Sequence, residues 1–326
     1  MTLEDLFTLA SLTDAINALP AVPGKAGQTG LFVEKGVTTT TIVVEHRAGR
    51  LSLVPATSRN DDPTAVKDGK RTRRSFEVPH LPQSAQVLPS ELQGLAAFGS
   101  DSAAAPQASV INDKLEGMKA NLEATREWQR IGAIKGKILD ADGSVIYDLY
   151  DEFGISEKKL TIALGTATTD VRAKLLEAKR WVEKKTPGVV ITGFKAFCGA
   201  SFFDALTGHD KVQKAFEGWQ AAQDRIGGDM RAGFTFGDIS FEEYNAQVSG
   251  KDFVGDNVAR IFPVGRNVFS MYNAPANYNE TVNTVGRAFY AKAEERRLGK
   301  GWDLETQSNP LAMCFYPEAL VELTAS

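Results

Sequence analysis

Side chains able to do chemistry are few and scattered in this 326-residue chain. Its three histidines, His46, His80 and His209, never fall at the i, i+4 spacing that sets two imidazoles on one helical face around zinc, and none adjoins a nucleophile elbow. Ser156-Glu157-Lys158-Lys159 has the SxxK spacing in which an amine could deprotonate a serine, but the Ser-Asp-Asn and Lys-Thr-Gly words that go with it are missing. Neither a GxxxxGK(S/T) loop nor GxGxxG occurs, so the usual backbone cradles for phosphate are lacking. Cys198 could be a nucleophile, yet it follows Phe197 in a stretch that reads as a strand, where a thiol packs rather than reacts. Asp140-Ala141-Asp142-Gly143 hints at a calcium loop, but the sixth position from Asp140 is Val145, where such a loop needs glycine for its sharp turn. No catalytic, cofactor-binding or metal-ligating residue is nominated, and no cofactor is expected. One charged cluster remains: Lys67, Lys70, Arg71, Arg73 and Arg74 stand against the single acid Asp68. On a chain of net charge -4 and pI near 5.6, one short basic patch reads as an interface or a solvated face rather than a sequence-reading nucleic-acid surface.

The elements that must carry these residues are mixed. With 43% hydrophobic residues the chain can bury a core of one large or two moderate domains. No window holds the roughly twenty apolar residues of a membrane span, the first residues lack the basic run of a signal peptide, and Cys198 and Cys314 are too few for a disulfide framework. Residues 1–20 read as an amphipathic helix with Leu6, Leu9, Ile16 and Leu19 on its apolar side, closed by Pro20. Thr38–Val44, rich in β-branched residues, predicts a strand within 37–54. The polar stretch that follows, with a turn at Asp61-Asp62-Pro63, reads as part of a long two-stranded loop or as a solvated loop; two arms of that length would reach about 60 Å. Residues 88–107, rich in Ala, Gly, Ser and Pro, predict a linker, and Ile111, Leu115, Met118 and Leu122 predict a helix over about 109–131. Alternation around Asp142-Gly143 predicts a hairpin, Asp170 a helix cap, residues 189–199 a strand leading into a helix at Ser201, and Gly237-Asp238 a further turn.

The stretch from Phe262 to Leu323 contains Pro263-Val264-Gly265, Ala274-Pro275-Ala276-Asn277-Tyr278, Val282-Asn283-Thr284-Val285-Gly286 and Gln307-Ser308-Asn309-Pro310. These residues control backbone rather than do chemistry. In this order they resemble the lambda-like family of tailed-phage major capsid proteins, also called major capsid protein E. Tyr150-Asp151-Glu152-Phe153-Gly154 and the stretch Gly233–Tyr244 add to the resemblance, which covers most of the chain and is least specific in the N-terminal third.

That resemblance implies the α+β tailed-phage major capsid fold of the Hong Kong phage type. It would divide the chain into an N-terminal arm (1–36), an extended β-hairpin loop (37–87), a peripheral domain with spine helix and hairpin (88–160), a mainly axial domain (161–260) and a return to the peripheral domain (261–326). It implies a virion protein, assembled in the host bacterial cytoplasm, whose hexamers and pentamers enclose double-stranded DNA without sequence-specific contacts. The loop residues Asp61, Asp62, Lys70, Arg71, Arg73 and Arg74 are the expected subunit interface. A separate scaffold protein is expected because the chain reaches its arm almost at once; a portal and a cementing protein are further partners the family implies. Two other readings stay open: an encapsulin-like nanocompartment shell, and a soluble hydrolase using Cys198 or a histidine.

Overall fold

The computed structural model describes residues 8–19, 24–47, 71–92, 104–226, 231, 233–248 and 250–326. The chain opens with helix α1 (Leu9–Ala18) and a helical turn at Lys25–Gln28, then strands β1 (Phe32–Gly36), β2 (Thr41–Arg47), β3 (Arg71–Glu77) and β4 (Leu81–Val87). After a turn at Pro89–Leu92 comes the 32-residue helix α2 (Ala104–Lys135), followed by β5 (Lys137–Leu139), β6 (Val145–Asp148), a turn at Leu149–Phe153 and β7 (Lys158–Thr161). Helix α3 (Val171–Lys185), β8 (Ile191–Cys198), α4 (Ala200–Thr207) and α5 (Asp210–Ile226) lead to β9 (Phe234–Phe236) and β10 (Ile239–Glu243). The remainder is strand: β11 (Gln247–Val248), β12 (Lys251–Asp252), β13 (Val258–Gly265), β14 (Phe269–Asn273), β15 (Tyr290–Glu295), β16 (Trp302–Ser308), β17 (Pro310–Cys314) and β18 (Val321–Thr324).

The chain forms two compact units. The first draws on segments up to Ile42, Phe76–Gln129 and Ser270–Met313. Its sheets run in the order β1-β14-β17 and β15-β16-β4, with β16 antiparallel to both neighbours. The apolar stripe of α2 explains the core: Ile111, Leu115 and Leu122 pack with Leu12 and Ile16 of α1 and with Val87, Phe289, Ala291 and Leu304. The Thr8 hydroxyl starts α1 by accepting the Ser11 amide at 3.2 Å.

The second unit comprises Val43–Ser75, Arg130–Phe269 and Cys314–Ser326. Its six-stranded sheet runs β7-β18-β13-β8-β10-β9, with β8 antiparallel to β13 and parallel to β10. Strand alternation turns Phe194, Ala196 and Cys198 toward the core shared with Val171, Leu175, Phe202 and Leu206 of the helices. Phe197 faces the other way and meets Phe262 at 5.1 Å and Tyr244 at 5.5 Å. Asp170 caps α3 through the Ala173 amide at 3.0 Å, and Val171, Leu175, Ala178 and Val182 form its buried face. Gly237 and Asp238 both hold positive φ, the twist that joins β9 to β10.

Three elements differ from the sequence reading. The first helix covers Leu9–Ala18, and Leu6 and Pro20 lie outside the described residues. Strand β2 (Thr41–Arg47) lies within the expected 37–54, and a further strand, β1 (Phe32–Gly36), precedes it in residues read as part of the arm. The expected linker is partly helical: α2 begins at Ala104, five residues before the predicted start, with Pro106 in its first turn, where its missing N–H costs nothing.

Candidate functional site

Most of the described residues that could do chemistry are held in structural roles. Asn309 Oδ1 lies 2.8 Å from His80 Nδ1, and Asn309 Nδ2 donates to the Pro275 carbonyl at 2.7 Å. His209 Nδ1 accepts the Lys211 amide at 3.3 Å, so the ring proton sits on Nε2, 3.1 Å from the Thr166 carbonyl. His46 belongs to β2, and its side chain lies outside the described residues. Lys159 pairs with Glu322 at 3.1 Å and Glu157 at 3.4 Å. The Glu322 bond, then its charge, hold the amine above its ordinary pKa, opposite to what an SxxK base requires. Cys198 and Cys314 are fully buried, and burial pushes the Cys314 thiol up to about 12. A thiol there is neutral and out of reach. Among the described residues no cluster of His, Cys, Asp and Glu could hold a metal ion.

Of the proposed loop residues, Arg73 and Arg74 lie on β3, which pairs with β2, and both are exposed. Arg74 Nε donates to the Glu152 carbonyl at 3.0 Å. Arg71 is the first residue of β3; Asp61, Asp62 and Lys70 lie outside the described residues. Strand β4, within the stretch read as loop, instead joins β16; Pro79, with no N–H to donate, separates it from β3.

What does converge is the set of backbone-controlling words. Ala274 N–H donates to the Asn309 carbonyl at 2.9 Å, Asn277 N–H to Gln307 Oε1 at 2.8 Å, and Gly286 N–H to the Val37 carbonyl at 2.8 Å. A Cβ on Gly286 would stand 2.0 Å from the Asn273 carbonyl oxygen, and one on Gly36 would stand 2.3 Å from the Gly286 carbonyl oxygen. Only glycine permits these crossings.

Sequence reasoning missed the centre of this region. Arg126, 1% exposed, donates to Asn273 Oδ1 at 2.8 Å, Ser308 Oγ at 3.3 Å and Glu34 Oε1 at 2.8 Å, and lies 5.1 Å from the Phe289 ring. Its neighbour Glu127 accepts the Ala26 and Gly27 amides at 2.7 and 3.0 Å. The one available signal was two charges following an apolar stripe that needs none. The site is a cross-brace between remote segments, and the same unit carries a cavity of about 880 Å³ lined by His80, Asn277, Tyr278, Lys292, Glu305 and Gln307.

Residues 8–325 match the family described as phage major capsid protein E. The chain belongs to that family. It is 27% identical over 354 residues to the major capsid protein of Salmonella phage Felix O1, covering 98% of this chain and 96% of that one. Against the major capsid protein of Pseudomonas phage KPP10 it is 27% identical over 347 residues, covering 98% and 97%. In fold it resembles a crystal structure described as a prophage capsid protein from Escherichia coli CFT073, with a TM-score of 0.60 at 13% identity over 98% of this chain and 99% of the other. The fold is therefore that of tailed-phage major capsid proteins, and the chain is a structural subunit of a phage head and a component of the virion. Its family is one of shell proteins, not of enzymes, and it is a phage family, which disfavours the nanocompartment reading.

Proposed function

We propose that this capsid protein forms hexamers and pentamers that close into an icosahedral shell around double-stranded DNA. The observation that carries this is the family match across both units, from residue 8 to 325. Symmetry repeats each interface many times, so contacts that are individually weak sum to a stable shell.

In this reading the peripheral domain carries the long helix and the C-terminal strands, the axial domain lies mainly within residues 161–260, and the loop 37–87 overlaps a neighbouring copy. Arg71, Arg73 and Arg74, with Asp61, Asp62 and Lys70, are its contact residues. Exposure of Arg73 and Arg74 on a two-stranded ribbon supports this, since such a ribbon has little core of its own. The net charge of -4 suits a container that surrounds DNA without reading it. A separate scaffold, a portal and a cementing protein complete the assembly, which takes place in the host cytoplasm.

Negative-stain electron microscopy of the purified protein, with and without a candidate scaffold, tests the reading. Closed shells, tubes or rings of five or six support it. A strict monomer or dimer under every condition refutes it.

A further inference from the structure

Helix α3 gathers positive charge that its folding does not require. Its 15 residues hold six of the chain's 37 lysines and arginines but two of its 41 acids, so the helix carries +4 on a chain of net charge -4. Three of the cations are tied into the fold. Lys179 pairs with Asp238 at 3.1 Å, Lys185 pairs with Glu318 and lies 4.9 Å from the Trp181 ring, and Lys174 stands 4.0 Å from Glu177. The other three, Arg172, Arg180 and Lys184, are exposed and form no ion pair among the described residues.

Helix stability does not explain where these three stand. Arg172 lies in the first turn, where a cation opposes the helix dipole. Arg180 and Lys184 are four residues apart, a spacing at which like charges repel. Only Lys184, near the C-terminus, suits the dipole. At four-residue steps Arg172, Leu176, Arg180 and Lys184 rise along the solvent side of the helix, so the charges are presented together over about 18 Å. Glu183 is the one acid of α3 without an ion pair among the described residues, and three positives less this one leave the row at +2.

Leu176, 39% exposed, is the one large apolar side chain that α3 shows to solvent. A protein partner needs an interface core that is apolar and depleted of charge, whereas a phosphate backbone is met by lysine and arginine through charge alone. We propose that the row of Arg172, Arg180 and Lys184 contacts the phosphates of double-stranded DNA without reading its bases. The inference rests on the shell reading above, which sets duplex DNA against the subunits. At ~3.4 Å per phosphate along one strand, the row spans about five phosphates.

The test is duplex binding by the unassembled subunit. Fluorescence anisotropy of a short labelled DNA duplex is followed in rising potassium chloride for the parent and for the triple variant Arg172→Gln, Arg180→Gln, Lys184→Gln. A control, Lys214→Gln, Arg297→Gln, Lys300→Gln, removes as much charge from exposed positions elsewhere. Each phosphate contact contributes about 0.9 to the slope of log K against log salt, so the first variant should show a slope about 2 to 3 shallower while the control keeps the parent slope. The single variant Arg180→Gln should lose about 0.9. Slopes equal to the parent in the first variant overturn the proposal, as does an equal loss in the control, which would make bulk charge the cause. A parent that does not bind the duplex at low salt overturns it too, and so does tighter binding of polyglutamate than of DNA, which would make an acidic protein the partner. Because the substitutions relieve the dipole and the like-charge pair, circular dichroism should show the first variant folded and melting no lower than the parent. Electron microscopy separates this proposal from the shell reading. Both variants should form shells; their loss in the first alone would make α3 a subunit contact and overturn the proposal, whereas a parent that forms no shells overturns the shell reading instead.

Discussion

Arg126 and Asn273 are 147 residues apart in sequence and meet at 2.8 Å, guanidinium to side-chain carbonyl, where water does not reach. Both also bond Glu34, Arg126 at 2.8 Å and Asn273 at 3.3 Å, so three remote segments share one triangle. Arg126→Ala removes the donor and strands buried acceptors. A loss of about 3 kcal/mol is expected in urea unfolding. A change under about 0.5 kcal/mol would show that the triangle is incidental.

Two glycines should respond with opposite sign to the same substitution. Gly286→Ala drives a methyl into the Asn273 carbonyl at 2.0 Å and should leave little soluble protein. Gly117→Ala, on an exposed turn of α2 with nothing within 4 Å, should stabilise by about 0.5 to 1 kcal/mol. Thermal melting of both variants checks the pair, and equal effects would contradict the close crossing.

Lys135 gives a pH signature. Burial, and next the charge of Arg260, press its amine from 10.5 down to about 8. Between about pH 8 and 10.4 the unfolded chain holds a proton that the folded one has released, so stability should rise with pH across that window; below it the folded protein bears the full penalty. Lys135→Met should gain about 3 kcal/mol at pH 7 and lose the slope. Parallel pH curves for variant and parent would rule out this origin.

Reversal of Arg71, Arg73 and Arg74 to Glu should leave a folded subunit that forms no shells, as read by circular dichroism and electron microscopy. Normal particles from that variant would remove these arginines from the interface.

Native thiols should react with Ellman's reagent only as fast as the chain unfolds, because Cys198 and Cys314 are fully buried. Rapid labelling of either one in the folded subunit would reopen the question of a cysteine nucleophile.

Local pattern carried a large part of the fold. The stripe Ile111, Leu115, Met118 and Leu122, the cap Asp170 and the turn Gly237-Asp238 announce themselves because their causes lie within a few residues. Strand order did not show. That β18 enters the sheet between β7 and β13 depends on partners more than fifty residues away. The Arg126 cross-brace was silent for the same reason: an arginine on a helix looks solvated until Asn273 and Glu34 arrive beside it. Gly286 was visible as a glycine, but the carbonyl that demands it belongs to Asn273, at the end of β14.

The late position of β18 bears on synthesis. Its residues 321–324 occupy an interior place in the six-stranded sheet, and β15, β16 and β17 close the first unit only near residue 313. At about 5–20 residues per second a ribosome would deliver these strands tens of seconds into elongation. Until then neither unit can complete its sheets. A chain truncated before Val321 would leave β7 and β13 without the strand between them, and the bared strand edges should make it insoluble.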